Sequence, residues 1–271
     1  IDVDLHECMM LKAIQTTLAK DKENNDMSLY DWYAKALSDN KQILQRITNV
    51  LVADSAFSKK PFIDNMLGIG FNVVSRLRHD AALYYLWEGD PTGKPGRPRV
   101  KGEKIDFKNI DKSKVAILDT DESNGQVYAL KAWCKSLHRK ISLVIHILPK
   151  GGHRLYFSTD ESMSGRDVME YYCTRFQIEF CFRDAKQFVG LTDSQARDTR
   201  KLDFAFNSSF TAVNVAKIMC SEYNLSIWRL KALIINAYYA QRIIDVFENN
   251  PNTQLNHEIV NEIFGFAADA A

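Results

Sequence analysis

Several features that would narrow the function of this 271-residue chain at once are missing from it. No apolar run reaches the roughly 18 residues that a membrane-spanning helix needs. Asp2, Asp4, His6 and Glu7 interrupt the N-terminus, so no secretory leader is legible. The five Cys lie at positions 8, 134, 173, 181 and 220. That count is odd and contains no Cys-x-x-Cys pair, which argues against a disulfide scaffold or a zinc ribbon and for a reduced, cytoplasmic setting. The six His show no metal-ligand spacing. Neither type of Gly-rich phosphate loop is present, which argues against an ATP- or NAD-dependent enzyme. Excess charge is also lacking: 35 Lys and Arg against 34 Asp and Glu leave a net +1. Nucleic-acid binding would have to come from local patches rather than from the global field.

What is present has an α/β order. Residues 1–16 alternate and then run apolar, as a strand would. Residues 28–48 read as a helix, with Ser28 as N-cap and Tyr30, Tyr33, Leu37, Ile43 and Leu44 on its apolar face. Val50 to Ala53 form a short buried strand that ends at Asp54. A helix with Pro61 in its first turn follows, and then a strand over 71–78. Strand, helix, strand predicts a βαβ unit and a parallel sheet. "GDPTGKPGRPRVKG", from residue 89, reads as a loop or linker. Residues 103–158 are β-rich, and the chain from Ser164 onward is helical at about 165–188, 201–222, 226–249 and 254–265. The division this implies is 1–90 for the first part of a core, 91–160 for a β-rich insertion, 161–222 for the core's second part and 223–271 for a C-terminal helical region.

Three candidate sites carry chemistry. Asp54 stands at the C-terminal end of an apolar strand, the edge where open parallel sheets bind ligands and metals; taken alone it reads first as a helix or turn cap. Within "EYYCTRFQIEFCFRDAK" (170–186), Tyr172, Arg175, Glu179 and Lys186 fall inside an arc of about 60° at 100° per residue. Phe176, Ile178, Phe180 and Phe182 flank that stripe and are expected to pack into the sheet and the insertion. A solvated face with an Arg175–Glu179 pair at i, i+4 is the plainer alternative. The basic loop with Lys94, Arg97, Arg99, Lys101 and Lys104 would contact phosphates, or is a solvated linker.

The stripe is more specific than its parts. Tyr, two residues, Arg, three residues, Glu, six residues, Lys resembles the signature of DDE transposases of bacterial insertion sequences, and all four residues fit. "VADSAFSKKPFIDNMLGIGFNVVSRLRHDAALYYL" resembles the family segment around the second catalytic aspartate, which falls on Asp54. "LYFSTDESMSGRDVMEYY" and "VGLTDSQARD" resemble the segments before and after the signature helix. The resemblance covers most of residues 1–220. It implies an RNase H-like catalytic core with a β-rich insertion ahead of the glutamate helix, followed here by the helical C-terminal region. It implies DNA strand cleavage and strand transfer by in-line phosphoryl transfer, with Asp54 and Glu179 as ligands of a two-metal Mg²⁺ (or Mn²⁺) site. Tyr172, Arg175 and Lys186 would contact DNA, with Lys94, Arg97 and Arg99 adding phosphate contacts. The partners implied are double-stranded DNA (element ends and target) and a second copy in the DNA complex, with no membrane and no nucleotide cofactor. The protein would be bacterial and cytoplasmic, and nucleoid-associated when bound.

The sequence departs from the family at its start. The first catalytic aspartate belongs on the first strand of that fold, whereas "IDVDLHECMMLKAIQT" resembles the third strand, so Asp2 and Asp4 do not fill the role. The chain thus reads as N-terminally truncated, with the core partial and its first strands missing. The isolated chain is then expected not to cleave DNA, and to be catalytic only with that missing N-terminal part. The competing readings are a non-catalytic DNA-binding remnant and an RNase H-like nuclease of another kind.

Overall fold

The computed structural model describes residues 8–16, 27–89, 98–119 and 124–249. Helix α1 (Leu29–Asp39) starts at a capping box: Ser28 accepts from the Asp31 backbone, and Asp31 accepts from that of Ser28. The single helix expected over 28–48 is broken at Asn40, whose side chain donates to Ala36 O at 2.8 Å; α2 (Lys41–Gln45) follows. An Asn that satisfies the preceding turn competes with helix continuation.

The predicted βαβ unit is present. β1 (Val50–Val52) and β2 (Asn72–Leu77) pair in parallel, joined through α3 (Lys60–Gly68). Pro61 opens α3, and Phe62, Ile63 and Met66 turn one buried face to the sheet. Gly70, at φ +91, permits the reversal into β2.

The β-rich stretch supplies β4 (Lys101–Lys104), β5 (Ala116–Asp119), β6 (Gln126–Cys134), β7 (Arg139–Ile147) and β8 (His153–Ser158). A strand that the sequence reading missed, β3 (Leu83–Leu86), precedes them. All join one sheet in the order β1-β2-β8-β7-β6-β3-β4, with β5 also on β6. Every pairing except β1–β2 is antiparallel. β8 docks directly on β2, so the β-rich segment extends the sheet rather than forming a layer of its own. This mixed α/β architecture, an open central sheet with helices, is an RNase H-like core.

One sheet face packs Phe62, Ile63 and Met66 of α3 against Val73, Phe157, Leu143, Ile145, Ala132 and Leu83. Across it, Asp64 of α3 pairs with Lys60 and with Arg139 of β7. These cations hold the Asp64 carboxyl below its ordinary pKa, the Lys60 hydrogen bond most strongly. On the other face α4 (Gly165–Cys173) covers Val74, Val127, Val144 and Tyr156. Ser164 caps α4, and Gly165 presses on the sheet: a Cβ there would stand 2.5 Å from Ala129 Cβ.

The described residues form two compact units, the first holding Cys8 and those of 14–179 and the second Met9–Ala13 and 180–249. The second contains α6 (Thr199–Tyr223) and α7 (Ile227–Asn249). The strand expected over 1–16 is not formed across 8–16, and 1–7 lies outside the described residues, as does the helix expected at 254–265. Side chains of α6 hold the segment instead. Asn214 bonds Met10 N and O at 2.8 and 2.7 Å, and Asn207 bonds Ala13 N and O at 2.9 and 3.2 Å. Two carboxamides thereby take the place of a partner strand's peptide groups.

Candidate active site

Asp54 follows β1 directly. Its carboxylate Oδ1 accepts from Ser55 N at 2.6 Å, which caps a short 3-10 turn over Ser55–Phe57. Its backbone oxygen accepts from Ser75 Oγ at 3.1 Å, which ties the residue to β2. The carboxylate is solvent-exposed, and among the described residues Oδ2 carries no hydrogen bond. The turn-cap reading and the site reading are therefore compatible: one oxygen positions the group and the other is available.

The helix expected over 165–188 is two helices. α4 ends at Cys173, and α5 (Phe176–Phe188) begins after a joint at Thr174 and Arg175. Thr174 Oγ1 donates back to Tyr171 O at 2.6 Å, and the joint is closed by i→i−3 bonds from Arg175 N, Gln177 N and Ile178 N. The backbone tightens to 3-10 geometry there.

That joint alters the stripe read from a uniform helix. Tyr172 is only 7% exposed and packs in the apolar cluster, its ring 5.0 Å from that of Tyr156. The flanking aromatics do the reverse of what was expected: Phe176, Phe180 and Phe182 are 52%, 43% and 39% exposed. The buried side of α5 is Cys181, Asp184 and Ala185. The reason is local. Tyr172 lies in the last turn of α4, which presses on the sheet, whereas the Phe side chains follow the joint.

Arg175 Nη2 reaches Glu179 Oε1 at 3.0 Å. Its Nε is buried and has no hydrogen-bond partner. Its guanidinium carbon lies 4.8 Å from the centre of the Phe176 ring. Glu179 itself is largely exposed. Burial pushes the Tyr172 hydroxyl above the ordinary phenol pKa; the charges of Arg76 and Arg175 oppose that rise, while Asp54 and Tyr156 add to it. The fields of Asp54, Arg76 and Arg175 all reach Tyr172, and Glu179 is tied to Arg175.

Arg76 is the member that sequence reasoning missed. It lies on β2, paired with Tyr156, on the same face as Val74. Its backbone oxygen accepts from Ser58 Oγ at 2.9 Å, while among the described residues its side chain makes no hydrogen bond or ion pair. Alternation in "NVVSRL" could have flagged it, because a half-buried Arg two positions beyond Val74 shares the face that α4 covers. Lys186 is exposed on α5 in the second unit, and Arg99 stacks 3.9 Å over Trp87. Lys94 and Arg97 lie outside the described residues.

The family model described as transposase DDE domain matches residues 34–215. The chain belongs to that family. A comparison with curated proteins found no match. Membership in the transposase DDE domain family supports a transposase function in DNA transposition, and divalent metal ions are general to the family. The match takes in Asp54, Arg76, Tyr172, Arg175, Glu179 and Lys186. Among the described residues no helix is long and apolar enough to cross a membrane, and no group of three or more His, Cys, Asp or Glu is arranged to hold a metal ion.

Proposed function

We propose that this chain is a DDE transposase domain that binds double-stranded DNA at element ends and target, and that it contributes two of the carboxylates for metal-dependent strand cleavage and transfer. The observation that carries the reading is a chain of contacts: Asp54 is held to β2 by Ser75, Arg76 is the cross-strand partner of Tyr156, the Tyr156 ring packs on Tyr172, and Arg175, in the joint after α4, grips Glu179. The donor set fits Mg²⁺ or Mn²⁺ in kind: Asp54 Oδ2 is free, and both groups offer hard oxygen. It is short in number, since two-metal sites draw on more than two carboxylates. Bound there, the metal pair would activate the attacking oxygen and stabilise the leaving one.

The chain's own residues do the positioning. Arg175 offers a planar fork to a phosphate. Arg76 supplies a second cation beside it. The Tyr172 hydroxyl stays protonated at neutral pH and donates. Lys186, Lys94, Arg97 and Arg99 add point charges along the backbone. The acting form is a dimer on the DNA, bacterial, cytoplasmic and nucleoid-associated when bound. Among the described residues no third carboxylate joins Asp54 and Glu179, which favours one second reading, a DNA-binding remnant that does not cleave.

Gel shifts and nicking assays on end DNA separate these readings. The chain is expected to bind duplex, with Arg175→Ala weakening binding roughly 10- to 100-fold. Mn²⁺ binding to the complex, followed by electron paramagnetic resonance, is expected to be lost in Asp54→Asn and Glu179→Gln. Metal uptake without nicking fits a site awaiting a further carboxylate. Binding of DNA with no metal at all leaves the remnant. Failure to bind any DNA sinks both.

A further inference from the structure

One face of the sheet carries a row that the active-site reading does not use. β3, β4, β6 and β7 lie side by side, and their registers place Lys104 opposite Tyr84, Tyr84 opposite Trp133, and Trp133 opposite Lys140. Four neighbouring strands thus hold a cross-strand line of Lys, Tyr, Trp, Lys. At the usual strand spacing the two lysines stand about 14 Å apart.

The line lies away from the apolar core of α3. The alternate positions Leu83, Ala132, Cys134 and Ile141 point into that core, so Tyr84, Trp133 and Lys140 take the other face. Tyr84, Leu86 and Trp133 belong to neither apolar cluster of the sheet. Both rings are partly exposed, and Lys101, Lys104, Lys131 and Lys140 are exposed. Lys101 Nζ stands 5.6 Å above the Tyr84 ring, brought onto this face by the irregularity in the β3–β4 pairing. Lys131 is two residues before Trp133 and shares its face. Glu103 is the only acid in these four strands.

Two adjacent rings with cations on both sides match one ligand chemistry. Bases stack on aromatic faces while phosphates track the flanking ammonium groups. A flat sheet face presenting neighbouring aromatics seats two or three unstacked bases, which a duplex does not offer. We infer that the face formed by Tyr84, Trp133, Lys101, Lys104, Lys131 and Lys140 binds a single-stranded nucleic acid segment of a few nucleotides. The chemistry is shared by DNA and RNA; the assignment to DNA rests on the proposed function. In the row itself, Lys104 and Lys140 flank the two rings.

The test uses the full chain and fluorescent oligonucleotides in anisotropy: a short oligo-dT, an oligo-U of equal length and a duplex. Trp133→Leu is expected to weaken oligo-dT binding about 5- to 150-fold and to leave duplex binding within twofold. Lys104→Glu with Lys140→Glu, both at exposed positions where folding is not at stake, is expected to weaken oligo-dT binding and to flatten its salt dependence. Equal oligo-dT affinity in both variants overturns the inference, and so does a loss confined to duplex. A loss confined to oligo-U overturns the assignment to DNA. If Arg175→Ala weakens duplex binding while Trp133→Leu leaves oligo-dT binding unchanged, this inference alone fails. If the chain binds no nucleic acid, the proposed function fails with it.

Discussion

Tyr172 shows how a single residue can serve structure and site together. Its ring fills the cluster with Tyr156 and Val168, and its hydroxyl feels the charges of Arg76, Arg175 and Asp54. The two roles separate by substitution. Tyr172→Phe keeps the packing and is expected to change stability by less than about 1.5 kcal/mol while weakening DNA binding. Tyr172→Ala should cost roughly 3–5 kcal/mol in urea denaturation. The raised pKa adds a pH signature. Because the folded state holds the phenol proton more tightly than the unfolded state, the Tyr172 contribution is complete below about pH 10, the unfolded value. It is lost as pH rises through the higher folded value. A stability profile above pH 9 that is unchanged by Tyr172→Phe would contradict this account.

At the scale of the element, α4 is the part that sets the site. Its N-terminus lies against β6, where Gly165 leaves no room for a side chain: a Cβ would meet Ala129 at 2.5 Å and Leu118 at 2.8 Å. Its C-terminus carries Tyr172 into the charged group. A lever of this kind predicts action at a distance. Gly165→Ala is expected to destabilise the fold by about 1–3 kcal/mol through overpacking. It is also expected to weaken DNA binding, although residue 165 touches no DNA in the proposed reading. Thermal melts and gel shifts on the same preparation check both effects, and a neutral melt removes the lever.

The whole molecule divides into two units, and the division runs through α5 between Glu179 and Phe180. Each unit has its own apolar cluster, with Ala185, Leu191, Phe210 and Val213 in the second. Units with separate cores need not unfold together. Two transitions are expected in urea, separable by fluorescence: variants keeping only Trp133 report the first unit, and those keeping only Trp228 report the second. Superimposable curves from both reporters would mean one cooperative unit.

Much of this was legible in the chain itself. The βαβ unit followed from a short apolar run, a Pro-initiated helix and a Gly stop, all encoded over fewer than ten residues each. The fixed spacing of Tyr172, Arg175, Glu179 and Lys186, and the Asp at the end of β1, point to the transposase family by themselves. Local chemistry determines such features: caps, propensity and spacing act between near neighbours. The tertiary structure decided what depends on partners far along the chain. It placed Arg76 beside Tyr172, buried that Tyr while exposing the Phe residues around it, docked β8 on β2, and turned residues 10 and 13 toward Asn214 and Asn207 instead of into a strand. Periodicity shows which residues share a face; only the packing of one element on another selects the face that is covered.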